Sequence, residues 1–217
     1  MFLPYKADVD VKKLPISNIL IIVLTVLIFL YTYYGNGPVD GFVLTGLDLG
    51  LISHVFMHGG VGHLFGNMFF LWVFGNAVCS RVGNPTYPSL YLFLAVVAGI
   101  VHLAFDGDPA VGASGAVNGI MGIYLFVYPL SYIRCVWTPV WAWRKTFSIK
   151  AFWLIGAWFM VDLWGAFYGK AQIAYTGHLG GLLGGLATGW LMLKYGWVQL
   201  DEREATLDQV FSGGNYR

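Results

Sequence analysis

Three polar motifs interrupt an otherwise apolar chain of 217 residues, and their side chains could together perform nucleophilic catalysis. The chemistry-bearing residues are, in chain order, His54, His58, His63, Asn67, Ser114 and His178. A serine hydroxyl is a weak nucleophile until a neighbouring group takes its proton. A neutral imidazole, with an ordinary pKa of about 6.5, is suited to that role. If the serine and a histidine meet in the fold, they predict a nucleophile and its general base.

The serine motif, Gly112-Ala-Ser-Gly115, allows more than one interpretation by itself. A nucleophile elbow of the GxSxG type would need glycine where Ala116 stands and a strand before the serine. Serine is also a common small residue at the interfaces between membrane helices. Ser114 alone therefore does not decide between catalysis and packing.

The histidine-rich run also has several interpretations. His63 and Asn67 are four residues apart, which places them on one face of a helix. Such side chains can form hydrogen bonds between helices, or they can donate to a developing oxyanion. A zinc site made of His54, His58 and His63 is a further alternative, although the run lacks the glutamate of an HExxH helix.

Composition indicates the environment in which these residues act. Hydrophobic residues make up 58% of the chain and charged residues 11%, under half of the about 25% charged residues of a soluble domain. This excludes disorder and an ordinary water-soluble enzyme, and it predicts an all-α polytopic membrane protein. A net charge of +1 indicates no attraction to nucleic acid. The two cysteines are too few to indicate a disulfide framework or a zinc site.

Six stretches predict helices that cross a bilayer, each of which needs about 20 mainly apolar residues. They are 16–34, 63–79, 90–105, 114–133, 149–167 and 175–193. The fifth contains Lys150 and Asp162, so it could instead lie at the membrane interface. We expect a single domain, with an N-terminal segment 1–15, a six-helix core 16–194 and a tail 195–217.

The basic residues orient these spans. With six spans, eleven of them fall on the side that holds both termini: Lys6, Lys12, Lys13, Arg81, Arg134, Arg144, Lys145, Lys150, Lys194, Arg203 and Arg217. Only Lys170 falls on the opposite side. The positive-inside rule therefore predicts that both termini are cytoplasmic. Beside these charges, Trp137, Trp141 and Trp143 indicate an interfacial anchor in the cytoplasmic loop before the fifth span.

Glycines line one face of the fourth predicted helix and one face of the sixth. The two stripes are Gly115, Gly119 and Gly122 on the fourth helix, and His178, Gly181, Gly185 and Gly189 on the sixth. Stripes of small residues let two helix backbones approach closely. If these two helices pack together, Ser114 and His178 meet at one outward depth, near His63 and Asn67. The same stripes could serve contacts between chains, so the oligomeric state stays open.

A third catalytic member is not indicated by the sequence. Asp106 and Asp108 precede Ser114 in a loop, but nothing directs them at His178. We therefore predict a Ser–His dyad, with side chains of the second helix and the Ser114 backbone N–H as oxyanion donors. The other intramembrane polar residues, His54, His102 and Asp162, are interpreted as structural hydrogen-bonding groups. A proton pathway is the alternative for Asp162.

In combination, the motifs resemble those of rhomboid intramembrane serine proteases. The matching segments are His58-Gly-Gly-Val-Gly-His63-Leu-Phe-Gly-Asn67, Gly112-Ala-Ser-Gly115 and His178-Leu-Gly-Gly181-Leu-Leu-Gly-Gly185. The resemblance implies a six-helix rhomboid-like bundle in which Ser114 is the nucleophile and His178 the base. It further implies an oxyanion hole of His63 and Asn67, buttressed by His58, and no metal or organic cofactor.

The resemblance also implies the substrates: single-pass membrane proteins, cut within the lipid bilayer near the outer end of their transmembrane helix. Access would depend on movement of the fifth helix and the loop 168–174. The alternative is an inactive rhomboid-like protein that binds membrane clients without cutting them. A small transporter is disfavoured, because the sequence lacks two repeated halves. The short chain favours a bacterial plasma membrane.

Three positions depart from patterns that are frequent in this family. Leu49 and Gly50 stand where many members carry a Trp-Arg pair, and Cys79 stands where many carry a glutamate. Asn118 stands where some bacterial members place an aromatic ring on the catalytic histidine. Asn118 could instead form a hydrogen bond across the site.

Overall fold

The computed structural model describes residues 2–35, 37, 39, 41–137, 145–169, 173–200 and 204–212, and it is mostly helical. The helices are α1 (Ile16–Tyr34), α2 (Gly50–Ser53), α3 (Val61–Val82), α4 (Tyr87–Phe105), α5 (Ser114–Val127), α6 (Ala151–Tyr168), α7 (Tyr175–Lys194) and α8 (Leu207–Ser212). A 3₁₀ turn, His54–Phe56, follows α2, and α3 contains a π-helical turn at Leu71–Gly75. Three strands, β1 (Phe2–Ala7), β2 (Tyr132–Trp137) and β3 (Lys145–Lys150), form one antiparallel sheet in the order β1-β2-β3.

Four helices of the described chain, α1, α3, α4 and α6, are long and apolar enough to cross a membrane by length and composition. The protein is thus an integral, multi-pass membrane protein. The helix α5 is apolar but has 14 residues, about 21 Å at 1.5 Å per residue, against a hydrocarbon core of about 30 Å. The helix α7 has 20 residues, but its many glycines lower its hydropathy.

The short helix α5 lies at the centre of the bundle, packed between α4 and α7. All of its residues except Ser114 and Asn118 are buried. A Cβ atom on Gly185 of α7 would lie 1.9 Å from the Gly119 carbonyl oxygen, and one on Gly115 would lie 2.6 Å from the Ala98 Cβ of α4. The backbones of these helices are therefore in direct contact, and there is no room for larger side chains between them.

The fourth predicted span extends too far, because the helix ends at Val127 rather than at residue 133. Pro129 follows Tyr128, and proline disfavours helical conformation in the residue before it; Tyr128 has φ −129° and ψ 45°. The chain continues into β2, where Ile133 and Cys135 alternate with more exposed residues and are fully buried. Burial raises the pKa of the Cys135 thiol to about 11.

The sheet is an element that the all-helical prediction missed, and it recruits the N-terminal segment. β1 pairs with β2, with an irregularity between Pro4 and Lys6, and β2 pairs with β3. The predicted tryptophan anchor falls partly on this sheet, since Trp137 ends β2 and is about half exposed. Trp141 and Trp143 lie outside the described residues.

The N-terminal segment, the sheet and the tail gather at one end of the bundle. Arg81, near the end of α3, donates to the Tyr128 hydroxyl at 2.6 Å and to the Gln199 carbonyl at 2.7 Å, and it forms an ion pair with Glu204. Arg134 of β2 pairs with Asp8 at 3.3 Å. Four basic residues used to orient the chain, Arg144, Lys170, Arg203 and Arg217, lie outside the described residues. The helices α3, α5 and α7 begin at the opposite end.

Candidate active site

Ser114 and His178 lie in hydrogen-bonding contact at the end of the bundle where α5 and α7 begin. His178 Nε2 is 2.8 Å from Ser114 Oγ, although 64 residues separate the two in sequence. Ser114 is the first residue of α5, and His178 lies in the first turn of α7. The glycine contacts between these helices set that distance, because the Gly181 position meets the Gly115 carbonyl oxygen.

The other ring nitrogen of His178 faces a carboxylate. Asp162 Oδ1 of α6 lies 3.1 Å from His178 Nδ1, and the two side chains are 16% and 15% exposed. Sequence reasoning interpreted Asp162 as a structural group and did not connect it with His178. The sequence feature that could have revealed this contact is an acidic residue inside an apolar helix, because an ionisable group at membrane depth indicates a function. Asp162, His178 and Ser114 thus form one continuous chain of contacts.

Asn67 and His58 form a second hydrogen-bonded group beside Ser114. The Asn67 amide donates to His58 Nε2 at 3.0 Å, and the Ala113 backbone N–H approaches the same nitrogen at 3.5 Å. His58 is 7% exposed. Burial, reinforced by the neighbouring His63, lowers the pKa of His58 to about 4. His58 is therefore a neutral acceptor that links the first loop, α3 and the start of α5.

Gly112 brings this group against the serine. It has φ +124°, a left-handed conformation that favours glycine. A Cβ atom there would lie 2.7 Å from His63 Nε2 and 3.6 Å from Asn67 Nδ2. The backbone that leads into Ser114 thus runs directly past both side chains, which brings α3 against the start of α5.

These residues open onto a cavity of about 1070 Å³, just above the usual range for ligand sites, about 300–1,000 Å³. Its lining includes His63, Asn67, Ser114, Asn118, Asp162 and His178. Asn118 donates its amide to the Ser114 carbonyl oxygen at 3.0 Å. The hydrogen bond recorded for Asn118 is therefore within α5.

The remaining polar candidates have partners of their own. His54 Nδ1 lies 2.8 Å from the Gly50 carbonyl oxygen. His102 contacts the Asp106 carboxylate at 3.2 Å and the Asp108 carbonyl oxygen at 2.7 Å, and Asp106 also accepts from Thr176. Asp106 is thus directed at His102 and not at His178. In the described ranges, no group of three histidine, cysteine or acidic residues is arranged to hold a metal ion.

Comparison with known proteins identifies the family. The family model described as Rhomboid domain matches residues 48–195. The chain belongs to the rhomboid family. That match contains α2 to α7 and every residue of the site described above.

Curated relatives of this rhomboid come from bacteria and from organelles. It is 30% identical over 155 residues to Rhomboid protein 1, mitochondrial, of Saccharomyces cerevisiae, which covers 67% of this chain and 42% of the relative. It is 31% identical over 144 residues to Rhomboid protease GlpG of Klebsiella pneumoniae, with 66% and 48% covered. With Rhomboid protease GluP of Bacillus subtilis it shares 31% identity over 135 residues, 62% of this chain and 24% of the relative. The chain spans about half the length, or less, of these curated relatives.

Two of the departures from the family pattern have local partners in this rhomboid. The Gly50 N–H donates to the Asp48 carboxylate at 2.8 Å, and Leu44 and Ala110 form a backbone bridge between the first and third loops. Cys79 is buried, and its thiol lies 3.5 Å from Asn84 Oδ1. The first loop is thus anchored by an aspartate turn and a backbone bridge.

Proposed function

We propose that this rhomboid is an intramembrane serine endopeptidase. The observation that carries the proposal is the 2.8 Å contact between Ser114 Oγ and His178 Nε2, at a large cavity in a multi-pass membrane protein of the rhomboid family. Members of this family are generally intramembrane serine proteases, and inactive members also occur. The site residues and their roles are therefore part of the proposal.

The first chemical step is attack on the scissile peptide bond. Ser114 Oγ forms a bond to the carbonyl carbon while its proton moves to His178 Nε2. The π electrons of the carbonyl move to its oxygen, which becomes a tetrahedral oxyanion. His63, the second amide N–H of Asn67 and the backbone N–H of Ser114 are the proposed donors to that oxygen. Removing one such donor typically costs about 10²–10³-fold in kcat.

The second step divides the substrate. The oxyanion collapses, the carbon–nitrogen bond breaks, and His178 Nε2 gives its proton to the leaving amine. A water molecule then gives a proton to His178 Nε2 and attacks the acyl ester. This releases the new carboxyl end and returns the proton to Ser114 Oγ. The cavity supports this step, because polar side chains such as Asn118 form part of its lining.

The proposed substrates are single-pass membrane proteins whose transmembrane helix reaches the cavity from the lipid bilayer. A helical peptide bond is shielded by its own backbone, so the segment must unwind before the serine reaches its carbonyl. We infer six spans with both termini cytoplasmic, which puts the start of α5 toward the outer face. The short α5, with Ser114 at its first residue, supports a site below the membrane surface. No residue role in this scheme requires a metal or cofactor.

A paired labelling and cleavage assay tests the proposal. We expect a fluorophosphonate probe to label the detergent-solubilised protein and a panel of transmembrane substrates to be cut. Both activities should disappear in Ser114→Ala and fall strongly in His178→Ala. Ser89→Ala is the matched control, because Ser89 lies near the start of α4 and its hydroxyl donates to the Thr86 carbonyl oxygen.

The same assay separates a protease from an inactive relative. If the wild-type chain binds the substrates without cutting them, and Ser114→Ala binds them equally, the protein is a client-binding member of the family. Equal labelling of wild type and Ser114→Ala would also refute the proposed nucleophile.

A further inference from the structure

The His178 imidazole is held from both sides, by a different group on each nitrogen. Nε2 lies 2.8 Å from the Ser114 hydroxyl, and Nδ1 lies 3.1 Å from the Asp162 carboxylate. An ionised carboxylate can only accept hydrogen bonds. A contact with the ionised form of Asp162 therefore places the ring proton on Nδ1, which leaves the lone pair of Nε2 facing the serine. This is the tautomer that a general base needs.

The contact between Asp162 and His178 lies about one turn away from a close packing contact between α6 and α7. A Cβ atom on Gly165 would lie 2.4 Å from the Tyr175 ring, and one on Gly169 would lie 2.5 Å from the same ring. Tyr175 therefore sits directly on the backbone of α6. Asp162 precedes Gly165 by three residues and His178 follows Tyr175 by three, so the two side chains meet beside this packed contact.

Within the described part of the chain, no other residue shares the task of orienting the imidazole. Asn118 uses its amide on the Ser114 carbonyl oxygen, and the Tyr175 ring meets the imidazole only edgewise, at 6.2 Å between centroids. Among the described residues, each ring nitrogen of His178 has one hydrogen-bond partner, and the Asp162 carboxylate has His178 as its partner. Placing a carboxylate in an apolar membrane helix costs free energy, and such groups are usually paired. The partner of Asp162 among the described residues is His178.

We propose that Asp162 is a positioning residue of the catalytic site, which makes the proposed Ser–His dyad a Ser–His–Asp triad assembled from α5, α7 and α6. This inference rests on the proposed function. When Nε2 takes the serine proton, the imidazole becomes positively charged, and the carboxylate beside Nδ1 stabilises that charge. The Nδ1 proton stays on the ring, so no proton passes to the carboxylate. The charge pair exists only after proton transfer, so it lowers the barrier more than it strengthens substrate binding.

Replacement of Asp162 by three different residues tests the inference. An asparagine is nearly isosteric, but its N–H can donate to Nδ1 and move the ring proton to Nε2. In the Ser–His–Asp template this substitution costs about 10⁴-fold in kcat. We expect Asp162→Asn to lose at least about 10²-fold in kcat with KM within about threefold, and Asp162→Ala to retain no less activity than Asp162→Asn. Asp162→Glu should recover part of the rate, because it restores an acceptor.

The matched control is Asp106→Asn, which removes a carboxylate that contacts His102, and not His178, at 3.2 Å in the same cavity. We expect its kcat within about threefold of the wild type. A double variant gives the sharper test. If Asp162 acts through His178, then Asp162→Asn should slow probe labelling no further in a His178→Ala background, because groups that act as a unit are non-additive.

Each outcome has a defined meaning. The inference is overturned if Asp162→Asn cleaves at a rate within about threefold of wild type while Ser114→Ala is inactive. It is equally overturned if Asp162→Asn lowers labelling by the same factor with and without His178, or if asparagine is tolerated better than glutamate, since both indicate a packing role. An inactive wild-type chain that is indistinguishable from Ser114→Ala removes the proposed function itself, and the inference with it.

Discussion

A single methyl group at Gly181 should separate the Ser114 and His178 side chains. A Cβ atom at this position of α7 would lie 2.1 Å from the Gly115 carbonyl oxygen, whereas Cβ atoms essentially never approach a heavy atom closer than 3.0 Å. The obstacle is backbone and cannot rotate away. The variant Gly181→Ala therefore forces α5 and α7 apart by about 0.9 Å near this point, since a close-packed interface has no free volume to absorb the atom.

The displacement acts directly on the site. Gly115 adjoins Ser114, and Gly181 lies less than one turn beyond His178. The contact of 2.8 Å between Ser114 Oγ and His178 Nε2 would lengthen to about 3.7 Å, beyond the range of a hydrogen bond. A misplacement of about 1 Å can cost about 10²-fold in rate. Overpacking should also cost about 1–3 kcal/mol of stability, which at about 2–4 °C per kcal/mol lowers the unfolding midpoint by several degrees.

The assay measures kcat on a transmembrane substrate and the thermal unfolding midpoint of the purified protein in one detergent. The control is Gly156→Ala in α6, where an added Cβ would meet no atom within 4 Å. We expect the control to keep its activity and to gain up to about 1 kcal/mol of helix stability. A Gly181→Ala variant with wild-type kcat and midpoint would refute the inference that backbone contact between α5 and α7 sets the distance between Ser114 and His178.

Three further predictions concern other parts of the molecule. The pKa of His58 is lowered from 6.5 to about 4, so the unfolded chain binds more protons than the folded protein between these two pH values. The free energy of unfolding should therefore fall by up to about 3 kcal/mol as the pH is lowered through this window. Thermal unfolding of His58→Gln should show a flatter pH dependence, and an unchanged slope would contradict this. Replacing Arg81 or Glu204 by glutamine should destabilise the protein, with a coupling of about 1 kcal/mol in the double-variant cycle, and Arg81→Gln should cost more because Arg81 also donates to a hydroxyl and a carbonyl. In intact bacterial cells that express the chain, an impermeant thiol reagent should modify Asp108→Cys, exposed near the site, and should not modify Ser212→Cys in α8; the reverse pattern would exclude the proposed orientation.

Much of this protein could be predicted from the sequence, because the relevant signals are local. The low charge content and the apolar stretches predicted a multi-pass membrane protein, and α1 begins and ends at the predicted residues. The three motifs predicted the rhomboid family, which the family match confirms. The alternation of Ile133 and Cys135 was a local signal for a strand, but the predicted span continued past Pro129 and ended only at Ile133.

The tertiary structure decided which polar side chains meet. The helix α6 is apolar on most sides, so its sequence contains no amphipathic stripe that shows which face Asp162 occupies. That face is set by Tyr175 packing on Gly165, a contact between two helices that no periodicity reveals. The sequence by itself therefore determined the environment and the reactive residue types, which depend on composition and spacing. The structure determined that a carboxylate stands behind His178, because that depends on the rotation of one helix against another.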